Sequence, residues 1–128
     1  MNIQSTTYQT PATETLSNPR KRRMYLSGPI TGINYNEVER AFNTAERNVR
    51  DLGDFDPVSP LKNGLPKDTD WASHMLIDLA ILRNCDGIIL LDGWEDSPGC
   101  RIEAEFALRL DLLMFDGIKS FLDYAKRK

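Results

Sequence analysis

The chain has 128 residues, 41% hydrophobic and 27% charged, the length of one globular domain and a balance that can bury a core. No window approaches the roughly 18 unbroken apolar residues of a membrane span, and the start lacks the apolar core of a signal peptide. Two cysteines, Cys85 and Cys100, are too few for a disulfide scaffold and have no metal-ligand spacing. The expected setting is therefore a reducing cytoplasm, with no metal and no cofactor. The net charge of −3 is uneven: Arg20, Lys21, Arg22 and Arg23 against Glu14 put +3 on residues 1–23, which leaves −6 on the remainder. Four basic groups beside an acidic domain are a weak nucleic-acid footprint, so nucleic acid is not the expected partner. An anionic ligand would have to be held by local groups and not by a global field.

Residues 1–22 read as a flexible polar and basic tail, because 1–19 are rich in Thr, Ser, Gln, Asn and Pro and show no apolar periodicity. Residues 23–128 read as a single domain in which short apolar runs alternate with helical stretches, the pattern of parallel βαβ units. Met24-Tyr25-Leu26 is a first strand ending in the turn Ser27-Gly28-Pro29-Ile30-Thr31-Gly32. Asn34 and Glu37 form a capping-box pattern for a helix with Val38, Ala41, Phe42, Ala45, Val49 and Leu52 on its buried stripe, stopped by Gly53. Phe55–Pro60 is a short second strand, and a loop over Lys62–Lys67 precedes a helix from about Asp68 to Arg83. Gly87–Leu91 is an apolar run of the kind buried on both faces. A loop from Asp92 leads to a helix capped by Ser97 with Pro98 at its first position. Leu110–Phe115 is a fourth strand and Ile118–Tyr124 a last helix. The fold class is α/β, a small doubly wound, flavodoxin- or Rossmann-like three-layer sandwich with a parallel sheet of four to five strands. Ligands of such folds sit beyond the carboxyl ends of the strands, where the strand order reverses.

Two acids fall on the wrong side of their helices. At about 100° per residue, Ile102, Phe106, Ala107 and Leu110 make the apolar stripe of the third helix, and Glu103 lies inside it. A carboxylate there must be paired, protonated or facing a cavity. Glu105 points outward, four residues before Arg109. In the preceding helix Trp71, Met75, Leu79 and Leu82 define a stripe with Asp78 beside them; His74, the one histidine, lies a turn earlier within reach of Asp78. Two inward acids on either side of the central strand point to a shared pocket.

Two small-residue turns add a second signal. Ser27–Gly32 and Ser97-Pro98-Gly99 each place free amides and hydroxyls between a strand and a helix, where an anion can dock; neither is a Walker loop or a GxGxxG fingerprint. The loop acids Asp92, Glu95 and Asp96 read as solvated and not as a magnesium site. Trp94 either stacks on a base over the pocket or packs at the sheet edge. Cys100 near a helix start reads as small-residue packing and not as a nucleophile.

Together, Tyr25-Leu26-Ser27-Gly28-Pro29-Ile30-Thr31-Gly32, Asp78, Cys85-Asp86-Gly87-Ile88 and Ser97-x-Gly99-x-x-x-Glu103-x-x-x-Ala107 resemble the nucleoside 2-deoxyribosyltransferase superfamily over residues 24–115, closest to a small branch common in phages and bacteria. The resemblance implies glycosyl chemistry at C1′ of a nucleoside or nucleotide: Glu103 attacks C1′ to give a covalent glycosyl-enzyme, and water or a second base resolves it. It implies that Asp78 contacts the sugar hydroxyl or assists proton transfer to the leaving base. It further implies that Ser27, Gly28, Pro29, Ile30, Thr31 and Gly32, with Trp94, Ser97 and Gly99, line the substrate. Serine at position 97 favours a 5′-monophosphate and hydrolysis over transfer. The turn departs from some relatives in lacking a basic or aromatic side chain at Pro29-Ile30-Thr31. The resemblance also implies a homo-oligomer, and host cytoplasm if the chain is phage-encoded. Two other readings stay open: a non-catalytic nucleotide-binding or regulatory module, and an enzyme acting on another N-ribosyl compound such as NAD.

Overall fold

The structure is a computed structural model that describes residues 20–127. Strands β1 (Arg22–Ser27), β2 (Phe55–Val58), β3 (Gly87–Leu90) and β4 (Leu113–Asp116) alternate with helices α1 (Tyr35–Arg50), α2 (Trp71–Arg83), α3 (Pro98–Arg109) and α4 (Ile118–Lys126). All neighbouring strands run parallel, in the order β2-β1-β3-β4. The doubly wound three-layer architecture read from the sequence is therefore the one observed, with four strands. The order reverses between β1 and β3, and a crevice opens beyond their carboxyl ends at Ser27 and Leu90.

The two-residue period of β1 sorts its side chains between the two faces of the sheet. Met24 and Leu26 pack on one side with Val38, Phe42, Ala45 and Val49 of α1 and Phe121 of α4. Tyr25 faces the other side, with Leu82 of α2 and Ala104 and Ala107 of α3. All four residues of β3 are buried, as its unbroken apolar run requires. Three helices begin on side-chain caps: Asn34 accepts from the Asn36 and Glu37 amides, Asp70 from Ser73 and Ser97 from Cys100. The return bond from the Glu37 carboxylate is not formed, so Asn34 caps α1 alone.

Several boundaries and faces differ from the sequence reading. The second strand stops at Val58, and a 3-10 turn, Pro60–Lys62, follows on a Ser59 cap. The second helix starts at Trp71 and not at Asp68, because Asp70 takes the cap position. The fourth strand begins at Leu113 and not at Leu110. Leu110 and Leu112 amides still close on α3 carbonyls, and Asp111 turns the chain at φ 58°, a conformation Asp tolerates. The buried face of α3 is Cys100, Glu103, Ala104 and Ala107, while Ile102 and Leu110 are exposed, and Trp71 of α2 is half exposed. Small side chains let α3 lie close on the sheet, and the large ones turn outward, uncovered among the described residues.

Residues 20–22, assigned to the tail, are engaged with the domain. The Arg20 guanidinium forks onto both Asp86 oxygens at 3.0 and 3.1 Å, the Arg23 amide reaches the same carboxylate at 2.7 Å, and Arg22 lies in β1. Burial works against the Asp86 anion, yet these donors hold its carboxyl below the usual range. The rest of the expected tail, residues 1–19, lies outside the described residues. No described helix is long and apolar enough to cross a membrane.

Phe121 is fully buried and meets Phe55 and Phe115 edge-on at 5.0 and 5.3 Å between centroids, so it is the anchor of α4 on the sheet. Phe121→Ala is expected to lower unfolding free energy by about 3–5 kcal/mol, read from urea denaturation followed by circular dichroism; a loss under about 1 kcal/mol would contradict the packing.

Candidate active site

Because Tyr25 and Ser27 are two residues apart on β1, both project toward α3. Tyr25 donates its hydroxyl to Glu103 Oε2 at 2.7 Å, and Ser27 donates its Oγ hydroxyl to Oε1 at 2.6 Å. Glu103 is only 5% exposed. The close approach of α3 to the strand rests on its small side chains, and Gly99 fits it against α2, where an added Cβ would stand 3.3 Å from Met75 Sδ. Each Glu103 oxygen therefore accepts one short bond and keeps a second lone pair. Burial pushes the Glu103 carboxyl up to about 7, against the Ser27 and Tyr25 hydroxyls that favour its anion, and the nearby Asp78 charge adds to the rise. Burial and the Glu103 charge push the Tyr25 phenol far above its ordinary range, so it remains a donor at every working pH.

The second acid approaches from α2. Asp78 is 6% exposed, and its Oδ1 accepts from Asn63 Nδ2 at 2.8 Å. Its Oδ2 has no partner among the described residues. Burial raises the Asp78 carboxyl, with the Asn63 bond opposing. His74, within reach of Asp78 on the helix and half-buried, does not bond it directly, because the Asn63 amide stands between them, 3.0 Å from His74 Nδ1. The loop after β2 was not visible to helical-wheel reasoning, which compares residues only along one helix.

Both acids line a cleft of about 260 Å³, near the small end of ligand sites at roughly 300 Å³ and above. Its walls are largely apolar, from Ile30, Leu61, Leu65 and Met75, with Tyr35 and Trp71 at the sides. Lys67 also lines it, its Nζ lying 4.1 Å from the centroid of the Tyr35 ring.

Of the residues read from the sequence, Glu103, Asp78, Gly28, Ile30, Thr31, Ser97 and Gly99 come together around this cleft. Ser27 lies beneath it and acts through Glu103. Three do not line it. Pro29 turns to a groove on the opposite, α1 side of the sheet. Gly32 turns the chain at φ 81° with nothing within 4 Å of where a Cβ would stand. Trp94 donates its Nε1 hydrogen to Asp116 Oδ1 at 3.0 Å and packs at the sheet edge, since the left-handed Gly93 aims the following turn toward β4. Burial pushes the Cys100 thiol up, which keeps it from acting as a thiolate. Among the described residues no three His, Cys, Asp or Glu side chains are grouped to hold a metal ion.

Sequence reasoning missed Tyr25, Asn63, Tyr35 and Lys67. Tyr25 carried a signal: a polar pair two apart on an otherwise apolar strand, facing the side that bears the inward glutamate. Asn63, Tyr35 and Lys67 carried none, because only the fold of the loops brings them to the cleft.

The doubly wound α/β domain described above has counterparts among solved structures. The chain is similar to a 2-desoxiribosyltransferase from Leishmania mexicana, with TM-score 0.55 and 20% identity over 73% of this chain and 61% of that one. It therefore spans less than two thirds of the Leishmania protein's length. It is also similar to the CMP N-glycosidase BcmB of Clostridium botulinum, with TM-score 0.54 and 13% identity over 84% of this chain and all of that one. The family resemblance read from the sequence is thus met in the fold. Residues 22–116 match the family described as "Domain of unknown function (DUF4406)", and the chain belongs to that family. No curated protein matches it in sequence.

The Glu103 shift has a signed consequence for stability. Its carboxyl binds a proton more tightly in the folded chain than in the unfolded one, so its contribution is full below the unfolded value of 4.5 and is lost as pH rises through about 7. The loss amounts to about 3 kcal/mol. Unfolding free energies across pH 4–8 are expected to carry this downward component in the wild type, and Glu103→Gln is expected to remove it. An unchanged slope in the variant would place the titration elsewhere.

Proposed function

We propose that the chain is an enzyme that cleaves, or transfers across, the N-glycosidic bond of a nucleotide, a (deoxy)nucleoside 5′-monophosphate, through a covalent glycosyl-enzyme on Glu103. The observation that carries this reading is the Glu103 carboxylate on the cleft floor, gripped by Tyr25 and Ser27 yet keeping a free lone pair on each oxygen. A buried carboxylate at the base of a cleft suits attack at an oxocarbenium-like centre, as in retaining glycosidases. Glu103 attacks C1′, the C1′–N bond breaks, and its electron pair goes to the leaving base, which takes a proton from Asp78. Water then attacks C1′, returns a proton to Asp78 and releases Glu103, so the net products are free base and sugar phosphate. Asp78 lines the same cleft with one oxygen uncommitted among the described residues, the placement a proton donor needs.

Support for the anionic substrate comes from three features of the cleft. Ser97 places its hydroxyl on the cleft wall, where the oxygen also caps the Cys100 amide at 3.3 Å. At the start of α3 the Cys100 and Arg101 amides are taken by Ser97, which leaves the Gly99 amide open beside it among the described residues. Lys67 lines the cleft in a chain that is otherwise acidic. The fold likeness to a deoxyribosyltransferase and a CMP N-glycosidase agrees with this chemistry.

The reading includes self-association. Helix α2 is apolar nearly all round, leaving Leu76 71% exposed and Ile77 and Trp71 partly uncovered, with Ile102 of α3 exposed on the same layer of the sandwich. A helix of that kind is completed by a partner. A second copy on this face would also close the cleft rim at Trp71. Leu76→Asp is expected to shift the chain toward monomer in sedimentation equilibrium, and a wild type that is monomeric throughout would end this part of the reading.

The decisive experiment is base release, followed by chromatography, from a panel of deoxynucleoside monophosphates, nucleosides and NAD. Wild type is expected to release base from a monophosphate and, after acid quench, to carry a sugar-phosphate adduct by intact-mass spectrometry. Glu103→Ala is expected to lose at least about 10³-fold in turnover and the adduct with it. Release of no base from any compound would leave the nucleotide-binding module, and release from NAD alone would move the substrate class.

A further inference from the structure

We propose that Asn63 is a positioning residue for Asp78, locked in place by a neutral His74 that carries its proton on Nε2. The kinetic part of the test rests on the N-glycosidic reading above; the structural part does not.

The Asn63 amide can be oriented only one way. Its Oδ1 accepts from the Leu65 amide at 3.0 Å, within its own loop. The NH2 end therefore faces α2, where one hydrogen goes to Asp78 Oδ1 at 2.8 Å and the other to His74 Nδ1 at 3.0 Å. An exchanged amide would set its oxygen against a carboxylate and its NH2 against the Leu65 N–H, losing every one of these bonds. With Nδ1 as acceptor, the neutral imidazole carries its hydrogen on Nε2. That atom lies 3.1 Å from the Pro66 carbonyl oxygen, a pure acceptor. His74 thus grips the loop by both ring nitrogens, and the donor and acceptor senses agree at every step from Pro66 through His74 and Asn63 to Asp78.

The consequence falls on Asp78. A carboxyl group turns easily about its last torsion, and its two oxygens are otherwise equivalent. The Asn63 bond removes that equivalence: Oδ1 is occupied, and Oδ2, without a partner among the described residues, is the oxygen available to the cleft. Asn63 touches neither sugar nor base in this scheme. It acts by holding one carboxyl rotamer, and His74 acts by holding Asn63.

His74 is the one histidine of the chain, so its imidazole nitrogens give unambiguous 15N signals in the intact, untagged protein. Wild type is expected to show the neutral Nε2–H form, and Asn63→Ala a spectrum in which Nδ1 has lost its hydrogen-bonded shift. In turnover, Asn63→Ala is expected to lower kcat about 10- to 100-fold, a part of the roughly 10²–10⁴ that a placed proton-transfer group supplies, with KM changed by less than about 3-fold on the same scale. His74→Asn, whose side-chain oxygen can stand in for Nδ1, is expected to keep kcat about 10-fold above His74→Leu. A purely structural role would not separate those two variants or split kcat from KM. A wild-type imidazole protonated on Nδ1, an Asn63→Ala spectrum identical to wild type, or an unchanged kcat would each overturn the proposal. If wild type releases no base at all, the proposed reaction fails, and the two imidazole spectra alone decide for or against the Asn63 lock.

Discussion

A carboxylate wedged between a strand and a helix is the constraint on which the rest of this molecule depends. Glu103 sits where a side chain of its volume would ordinarily be apolar, and burial there opposes its charge. Two hydroxyls on one strand compensate in part, and they can do so only because Tyr25 and Ser27 share a face of β1. The same requirement explains why α3 presents small residues to the sheet: a larger neighbour at Ala104 or Ala107 would lift the helix and lengthen both bonds. Local rules are broken at one position, and the surrounding residues are chosen to accommodate it, as functional sites commonly require.

The two faces of the sheet divide the work accordingly. On the α1 and α4 side, Met24, Leu26, Phe42, Val49 and Phe121 form a conventional apolar core. On the α2 and α3 side, the apolar cluster of Tyr25, Leu82, Ile88 and Leu90 gives way to buried acids toward the carboxyl ends of the strands. Stability on one side permits strain on the other. The ion pair of buried Glu46 with Lys62 at 2.9 Å ties α1 to the turn after β2, so the conventional side also steadies the loop that carries Asn63.

That loop is the element with the least regular structure and the most polar wiring. Backbone bonds alone would hold it loosely. Side chains from Asn63 and His74, with Lys67 over the Tyr35 ring, fasten it to both α2 and α1 and form one wall of the cleft. Loops positioned by a rigid scaffold are where ligand chemistry concentrates, and here the scaffold contributes the acids while the loop orients one of them.

Much of this was legible in the residues themselves. Apolar runs and caps at Asn34 and Ser97 set the order of elements, and the misplacement of Glu103 and Asp78 on their helical wheels marked the site before any coordinates. The errors have physical causes. Ile102, Leu110 and Trp71 were read as core because a wheel scores hydrophobicity and not distance from the sheet, and the small residues of α3 were the true contact. Trp94 was assigned to the ligand because nothing in one sequence says which way a tight turn aims its ring. What the sequence alone determined was the fold class and the two acids, since periodicity and burial are properties of each element taken singly. What only the tertiary structure decided was their partners: Tyr25 and Ser27 for one acid, Asn63 for the other. Hydrogen bonds between segments up to 78 residues apart depend on how the layers pack, which is information no local pattern contains.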